Sequence, residues 1–225
     1  MQTVLITGAS RGIGLEFARQ YAAEGWRVIA TVRHPERAVE TARIKGEVEI
    51  RTLDVTDLRA VAALGRDLAH EAVDVLIANA GVSLVRGMAA TAIDEAAWVE
   101  SIRVNTIGPL AIAGAMLEPV RRGAGKRLIA ISSRMGSIRE NKKGGSYAYR
   151  SSKAALNTVW KSLAAENRDL IVTLLDPGWV KSDMGGERAP LEVADSVSAM
   201  RRVIARLKRR HSGRFYSYDG WRIPW

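Results

Sequence analysis

Tyr149 and Lys153 stand four residues apart in the run AYRSSKAAL. On a helix, positions i and i+4 share one face, so the ammonium would lie beside the phenol. A neighbouring positive charge stabilises a phenolate and draws its pKa down from about 10, toward the range where it can give and recover a proton. The pair reads as a proton donor and the cation that tunes it. Taken alone, Tyr-x-x-x-Lys also fits an exposed tyrosine and lysine on an ordinary helix, so its meaning depends on what accompanies it.

A second feature with chemical potential is TGASRGIG, where Gly8, Gly12 and Gly14 enclose Ser10, Arg11 and Ile13. It joins a strand-like TVLIT to a helix-like IGLEFARQYAAEG. Glycines at such a turn let backbone approach a pyrophosphate, and the helix N-terminus offers free N–H groups and the positive end of its dipole. The spacing is Gly-x-x-x-Gly-x-Gly and not the common Gly-x-Gly-x-x-Gly. The bland alternative is a glycine turn that binds nothing.

Both features need a scaffold. Short runs rich in Val, Ile and Leu (TVLIT, RVIATV, EVEIRTL, VDVLIAN, KRLIAIS, LIVTLLD and GRFYSY) alternate with helical patterns near 12 to 24, 35 to 43, 57 to 69, 94 to 120, 147 to 166 and 191 to 209. That alternation predicts an α/β fold with a parallel, doubly wound sheet between layers of helices. Ser146 is the expected N-cap of the helix carrying Tyr149, and Ala148, Ala154, Ala155, Leu156 and Val159 form its apolar face. Irregular sequence follows Gly81 and fills 140 to 145 and 185 to 190. No repeat or linker marks a second domain, so residues 1–225 read as one domain.

Composition narrows the function. The 225 residues are 47% hydrophobic, enough for a sizeable core. With no cysteine and only His34, His70 and His211, widely separated, neither a thiolate site nor a histidine metal site is expected. The N-terminus lacks a basic leader, and VNTIGPLAIAGAML is broken by Asn105, Gly108 and Pro109, so a soluble cytoplasmic protein without membrane spans is expected. The net charge of +10 leaves nucleic acid as a minor possibility. Part of that charge lies on AMRRVIARLKRRH, where Val197, Met200, Val203, Ile204 and Leu207 form an apolar stripe and the arginines read as a solvated face without interleaved aromatics.

Further motifs follow in order: LDVTD with Asp54 and Val55, the NAG of Asn79, Ala80 and Gly81, Asn105, the ISS of Ser132 and Ser133, and DPGWV from Asp176 to Val180. Together with the glycine turn and Tyr149-x-x-x-Lys153, they make the chain resemble the short-chain dehydrogenase/reductase family over nearly its whole length. The endings GWVKSDMGG and YDGWRIPW are similar to small carbonyl reductases of the sniffer-like and C-factor-like branch. The resemblance implies a Rossmann-type sheet of order 3-2-1-4-5-6-7.

It also implies roles. Tyr149 would protonate a carbonyl oxygen as hydride reaches the carbon from a nicotinamide; Lys153 would lower the phenol's pKa and bind the nicotinamide ribose. A serine would orient the carbonyl, and Asn105 would hold a water linking Lys153 to solvent, its alternative role being to cap or bend a long helix. Aligning Gly136 with the glycine that follows the family's serine favours Ser133, sixteen residues ahead of Tyr149, over Ser132. Asp54 and Val55 would flank adenine, Asn79, Ala80 and Gly81 the ribose, and Pro177, Gly178, Val180 and Ser182 the carboxamide and phosphates. Turn capping and loop anchoring are the alternatives for Asn79 and Asp54.

At the end of the second strand, Val32 takes the place of the carboxylate that binds ribose hydroxyls in NAD-preferring enzymes, with Arg33 beside it and Arg11 in the glycine turn. Guanidinium groups suit a 2′-phosphate, which favours NADP(H), with NAD(H) the alternative and a solvated strand end the bland reading of Arg33. Only GGERAP separates Met184 from the next helix, which predicts an open, shallow substrate pocket with Arg134, Met135, Trp179 and Met184 as its walls. Such walls suit a hydrophobic aldehyde or ketone, with Arg134 alternatively holding an acidic group. The leading expectation is an NADPH-dependent carbonyl reductase, homodimeric or homotetrameric by family habit. Its rival is a protein that binds NADP(H) for signalling without physiological turnover.

Overall fold

A computed structural model of the chain describes residues 1–85 and 90–225; part of the irregular segment expected after Gly81 lies outside them. Seven parallel strands, β1 (Thr3–Thr7), β2 (Arg27–Val32), β3 (Val48–Thr52), β4 (Val75–Ala78), β5 (Arg127–Ile131), β6 (Ile171–Asp176) and β7 (Arg214–Ser217), form one sheet in the order β3-β2-β1-β4-β5-β6-β7. This is the Rossmann-type order expected. Every residue of β1, β4 and β6 is buried, which explains why these strands read as unbroken apolar runs. The order reverses between β1 and β4, and that switch point opens a crevice at the carboxyl ends of the strands.

Helices cover both faces. Helices α1 (Gly12–Ala23) and α8 (Val193–Arg206) pack on one side through Phe17, Ala18, Tyr21, Val197, Met200 and Ile204. Helices α3 (Leu58–Asp67), α5 (Gly108–Ala115) and α7 (Tyr147–Glu166) pack on the other through Val61, Leu64, Ile112, Leu156 and Trp160. Asp57 caps α3 by accepting the N–H groups of Arg59 and Ala60, and Asp94 caps α4 (Glu95–Ile102) by accepting that of Ala97. Helix α2 (Val39–Ala42) is a single turn after a 3-10 turn at Pro35–Arg37, shorter than the helical pattern expected over 35 to 43.

Two expectations fail for identifiable reasons. Ser146 does not cap α7 with its side chain; it sits at φ 49° after Gly144 at φ 62° and Gly145 at φ 68°, and only its carbonyl joins the helix, accepting Arg150 N–H. The helix expected over 94 to 120 is interrupted by a π turn at Arg103–Ile107, and α6 (Leu117–Arg122) follows α5 after a break at Met116. The side chain of Asn105 inside the π turn bonds outward to Val82 and Ser152, Thr106 bonds to the Ser152 carbonyl, and Pro109 has no N–H to give the ladder.

The stripe on α8 is buried as expected, but Arg201 does not belong to a solvated face. Its guanidinium lies 4.4 Å from the Tyr21 ring centroid and pairs with Glu24, so it fastens α8 to α1. On the opposite side Trp160, 1% exposed, fills the core between α7 and the sheet. Trp160→Ala should cost about 3 kcal/mol or more in urea unfolding, and a loss under about 1 kcal/mol would contradict this packing.

Candidate active site

The glycine turn forms one wall of the crevice, and its three glycines serve different needs. Gly8 has φ 70°, and a Cβ there would lie 2.9 Å from the Ala80 backbone. A Cβ on Gly14 would sit 2.3 Å from the Gly8 carbonyl oxygen and 2.5 Å from Asn79 Nδ2, so this glycine lets α1 close onto its own turn. Gly12, at φ 55°, has only Ser182 near its missing side chain, at 4.0 Å, and borders open space. Helix α1 has no side-chain cap and no acidic residue in its first turn, so its N–H groups remain available at that border. Asn79 donates to the carbonyls of Thr7 and Gly8, clipping the turn to the end of β4.

The crevice has a volume of about 470 Å³ and reaches from Arg33, Asp54 and Val55 at one end to Tyr149 and Lys153 at the other. Gly8, Ser10, Arg11, Gly12, Ile13 and Gly14 line it on one side, and Asn79, Ala80, Gly81, Pro177 and Ser182 on the others. An elongated cleft with a basic residue at one end, a glycine cradle in the middle and a Tyr-Lys pair at the far end fits an extended dinucleotide. Leu53, Val82, Val104, Ile131, Lys181, Asp183 and Val193 also line it; none carries a motif that spacing alone could single out. Asn105, Ser133, Gly178 and Val180 do not line it, whereas Ser132 does. Gly178 forms a turn at φ 79° against the Tyr218 ring, and Val180 is buried in a bridge to Leu191.

At the adenine-side end, Asp54 accepts the N–H and hydroxyl of Thr56, which anchors its loop. Partial burial pushes the carboxyl upward, but the Thr56 bonds and the nearby Arg33 and Arg103 outweigh it and hold Asp54 below the usual carboxylate range. Arg11 reaches across the mouth to Asp183 at 2.7 Å, an exposed pair that water largely screens.

At the reactive end, β5 delivers Ser132 and Ser133 on opposite sides. Ser132 is buried and donates to Asn157 Oδ1 at 2.7 Å, while Ser133 Oγ accepts the Met135 N–H at 3.2 Å and acts on the Tyr149 phenol. Lys153, one turn along α7, donates to the Ile131 carbonyl at 2.9 Å and lies 6.0 Å from the Tyr149 ring centroid. Burial drives the Lys153 ammonium down to about 8. Burial also pushes Tyr149 up to about 12; the Ser133 hydrogen bond acts the other way and Asp176 adds to the rise. The lowered phenol expected from the four-residue spacing is therefore absent in the chain alone, because desolvation of both partners exceeds their mutual effect.

Asn105 lies behind this pair, fully buried. It accepts Val82 N–H at 2.8 Å and donates to Val82 O and Ser152 Oγ, so it both bends its helix and pins the segment after Gly81. A Cβ on Gly81 would come 3.2 Å from Asn105 Oδ1 and 3.5 Å from Lys153 Nζ, and its lack keeps a gap between the two polar groups. Of the expected substrate walls, Met184 lines the crevice and Trp179 is largely exposed, its indole N–H donated to Gly185 O. Met135 instead borders a separate hollow with Trp98 and Tyr147, and Arg134 stands near Glu140 and Asp176.

The family model for short chain dehydrogenases matches residues 2–192, and the chain belongs to that family. Among individual relatives it is 47% identical over 155 residues to C-signal of Myxococcus xanthus, covering 68% of this chain and 93% of that protein. Among solved structures it is similar to carbonyl reductase Sniffer of D. melanogaster, with 32% identity and a TM-score of 0.92 over 100% of both chains. An NADPH-bound carbonyl reductase from chicken fatty liver shows 32% identity and a TM-score of 0.90, covering 100% of this chain and 99% of that one. No helix among the described residues is long and apolar enough to cross a membrane.

The buried lysine has a measurable consequence. Folding lowers its pKa from 10.5 to about 8, so between those values the unfolded chain binds more protons and stability rises with pH. Tyr149, raised from 10.0 to about 12, opposes this above pH 10. From pH 8 to about 10, the urea stability of the unmodified chain should therefore rise relative to Lys153→Met. A difference that stays flat over that interval would mean the ammonium is solvated.

Proposed function

We propose that this protein is an NADP(H)-dependent oxidoreductase that reduces aldehydes or ketones to alcohols. The observation that carries the reading is Tyr149 beside buried Lys153, its ring centroid 6.0 Å from the ammonium, at the end of the crevice away from Arg33. When bound, the reduced nicotinamide supplies the hydride received by the carbonyl carbon. Tyr149 delivers its proton to the carbonyl oxygen, and a phenol held protonated by burial suits that direction. Ser133 donates to the same oxygen and fixes its position, which is the larger part of what a neutral hydroxyl can contribute.

Lys153 binds the ribose hydroxyls and, still protonated near neutrality, resupplies Tyr149. Asn105 holds the floor beneath Lys153, and the gap at Gly81 keeps a path for proton return. Gly8, Ser10, Arg11, Gly12, Ile13 and Gly14 hold the pyrophosphate on the α1 N-terminus, and Asp54, Val55, Asn79, Ala80 and Gly81 enclose the adenosine side. Pro177, Gly178, Val180 and Ser182 shape the carboxamide end, Gly178 and Val180 through their backbone. Arg33, beside Val32 where a ribose-binding carboxylate would stand, reads the 2′-phosphate, and the NADPH-bound chicken reductase supports this choice. The partners are small carbonyl compounds, and the family's habit makes a cytoplasmic homo-oligomer the working form.

The name of the C-signal relative favours a second reading, in which nucleotide occupancy matters and turnover does not. Tyr149→Phe separates the two. It should leave NADPH binding intact and lower reduction of aromatic aldehydes, ketones and diketones by about 10²-fold or more; tight NADPH binding with no turnover by the unmodified protein would support the second reading. Arg33→Asp should weaken NADPH binding by at least about tenfold, about 1.4 kcal/mol, and favour NADH. Unchanged NADPH affinity would remove Arg33 from the 2′-phosphate site.

A further inference from the structure

Six exposed basic side chains, Lys126, Arg168, Arg206, Lys208, Arg209 and Arg210, come from three separate stretches of the chain, and the fold gathers them at the amino ends of β5, β6 and β7. Lys126 directly precedes β5, and its carbonyl accepts the N–H of Ile171 at the start of β6 at 2.8 Å. The Arg168 carbonyl accepts the Arg209 guanidinium, and Arg127 donates to Ala205 O at 3.4 Å, next to Arg206. Ser212 Oγ accepts the Val172 N–H at 3.0 Å and holds the α8-to-β7 turn against β6. The arginine-rich run after Met200 is thus joined in space by two cations remote from it in sequence.

Among the described residues none of the six side chains pairs with a carboxylate; Asp169, beside Arg168, is taken by Arg121 at 2.9 Å, and Glu166 is the other acid at this end of α7. Cations gathered in this way repel one another. His211 registers the crowding, since burial and then Arg210, Arg214 and Lys208 hold its imidazole below the ordinary range.

The roles proposed above make no use of this face. The crevice opens at the carboxyl ends of the strands, and the five residues of β5 set the two ends roughly 16 Å apart. No large hydrophobic side chain is exposed on the segments that form the face. It therefore lacks the apolar centre of a protein interface and the aromatic or leucine anchors of a membrane-surface site. It also lacks exposed rings among the cations that could stack on unpaired bases. The chemistry it does offer is a surface of guanidinium and ammonium groups suited to repeated phosphates.

We infer that this face binds the phosphate backbone of a nucleic acid duplex without reading its sequence. Backbone contacts need only exposed cations on a surface free to approach the duplex, and they carry no base specificity. Because the crevice faces the other way, dinucleotide and duplex bind at once and neither displaces the other.

The test follows the fluorescence anisotropy of a labelled DNA duplex of about 20 base pairs with the full chain over a series of salt concentrations. Four to six phosphate contacts predict a log–log slope of about −4 to −5, so affinity should fall by about 10²-fold between about 50 and 150 mM salt. Arg206→Glu with Arg210→Glu, and separately Lys126→Glu with Arg168→Glu, should each weaken binding at least about tenfold and flatten the slope by roughly 2. None of these four side chains makes a hydrogen bond or ion pair among the described residues, so both double variants should fold and keep the carbonyl reduction of the unmodified protein.

An absence of binding at about 50 mM salt, an unchanged slope in both double variants, or displacement of the duplex by excess NADPH would overturn the inference. Capture by vesicles of anionic phospholipid without duplex binding would overturn it in favour of a membrane surface. If the unmodified protein reduces no carbonyl compound, the reductase reading fails and the duplex titration still decides this one, since it involves no turnover.

Discussion

A lysine ammonium enclosed by protein is the constraint around which the rest of the site is arranged. With Lys153 4% exposed, water cannot solvate its charge, so protein groups must approach it and apolar bulk must stay away. The Ile131 carbonyl at the end of β5 provides the direct acceptor. Gly136 makes the approach possible, since a Cβ there would fall 2.8 Å from the Lys153 carbonyl carbon, while one on Gly81 would press on Asn105 Oδ1 at 3.2 Å and only touch Nζ. Helix α7 therefore sits close enough to β5 for Ser133 to meet Tyr149, because the residue that would hold it off has no side chain.

The same closeness organises the second tier. Asn157, one turn beyond Lys153, accepts from Ser132 and donates to Gly136 O at 3.2 Å, so the segment around Ser133 is held on both sides by one amide. Ser152 receives the Asn105 amide while donating to Tyr149 O, which links the π turn to the reactive helix. These contacts are buried and mutually satisfied, the condition under which polar networks specify one geometry.

Much of this was legible in the sequence. The fully buried strands β1, β4 and β6 stood out as apolar runs, and the glycine turn was recognisable because Gly8 and Gly14 occupy positions a Cβ could not. Ser133 was favoured over Ser132 through Gly136, and Ser132 is engaged by Asn157. What escaped depends on partners remote in sequence. The π turn follows from Val82 and Ser152, Arg11 meets Asp183, and Arg201 leaves the solvated face for Glu24 and Tyr21. The upward push on Tyr149 escaped for another reason: spacing reports which charge is near a phenol, whereas burial decides how much either costs.

The π turn at Arg103–Ile107 also sets the phase of everything that follows it. An i→i+5 turn accommodates one residue more than an α turn, so the helix after it is rotated by roughly 100° relative to an uninterrupted one. The rotation lets one continuous segment face two demands: Asn105 toward the floor of the crevice, then Ile112 and Ala113 into the core against the sheet. Straightening the turn would leave one of those surfaces facing the wrong way. The extra residue acts as a gear between the geometry of catalysis and the geometry of packing, and a single-residue deletion there would disturb both at once.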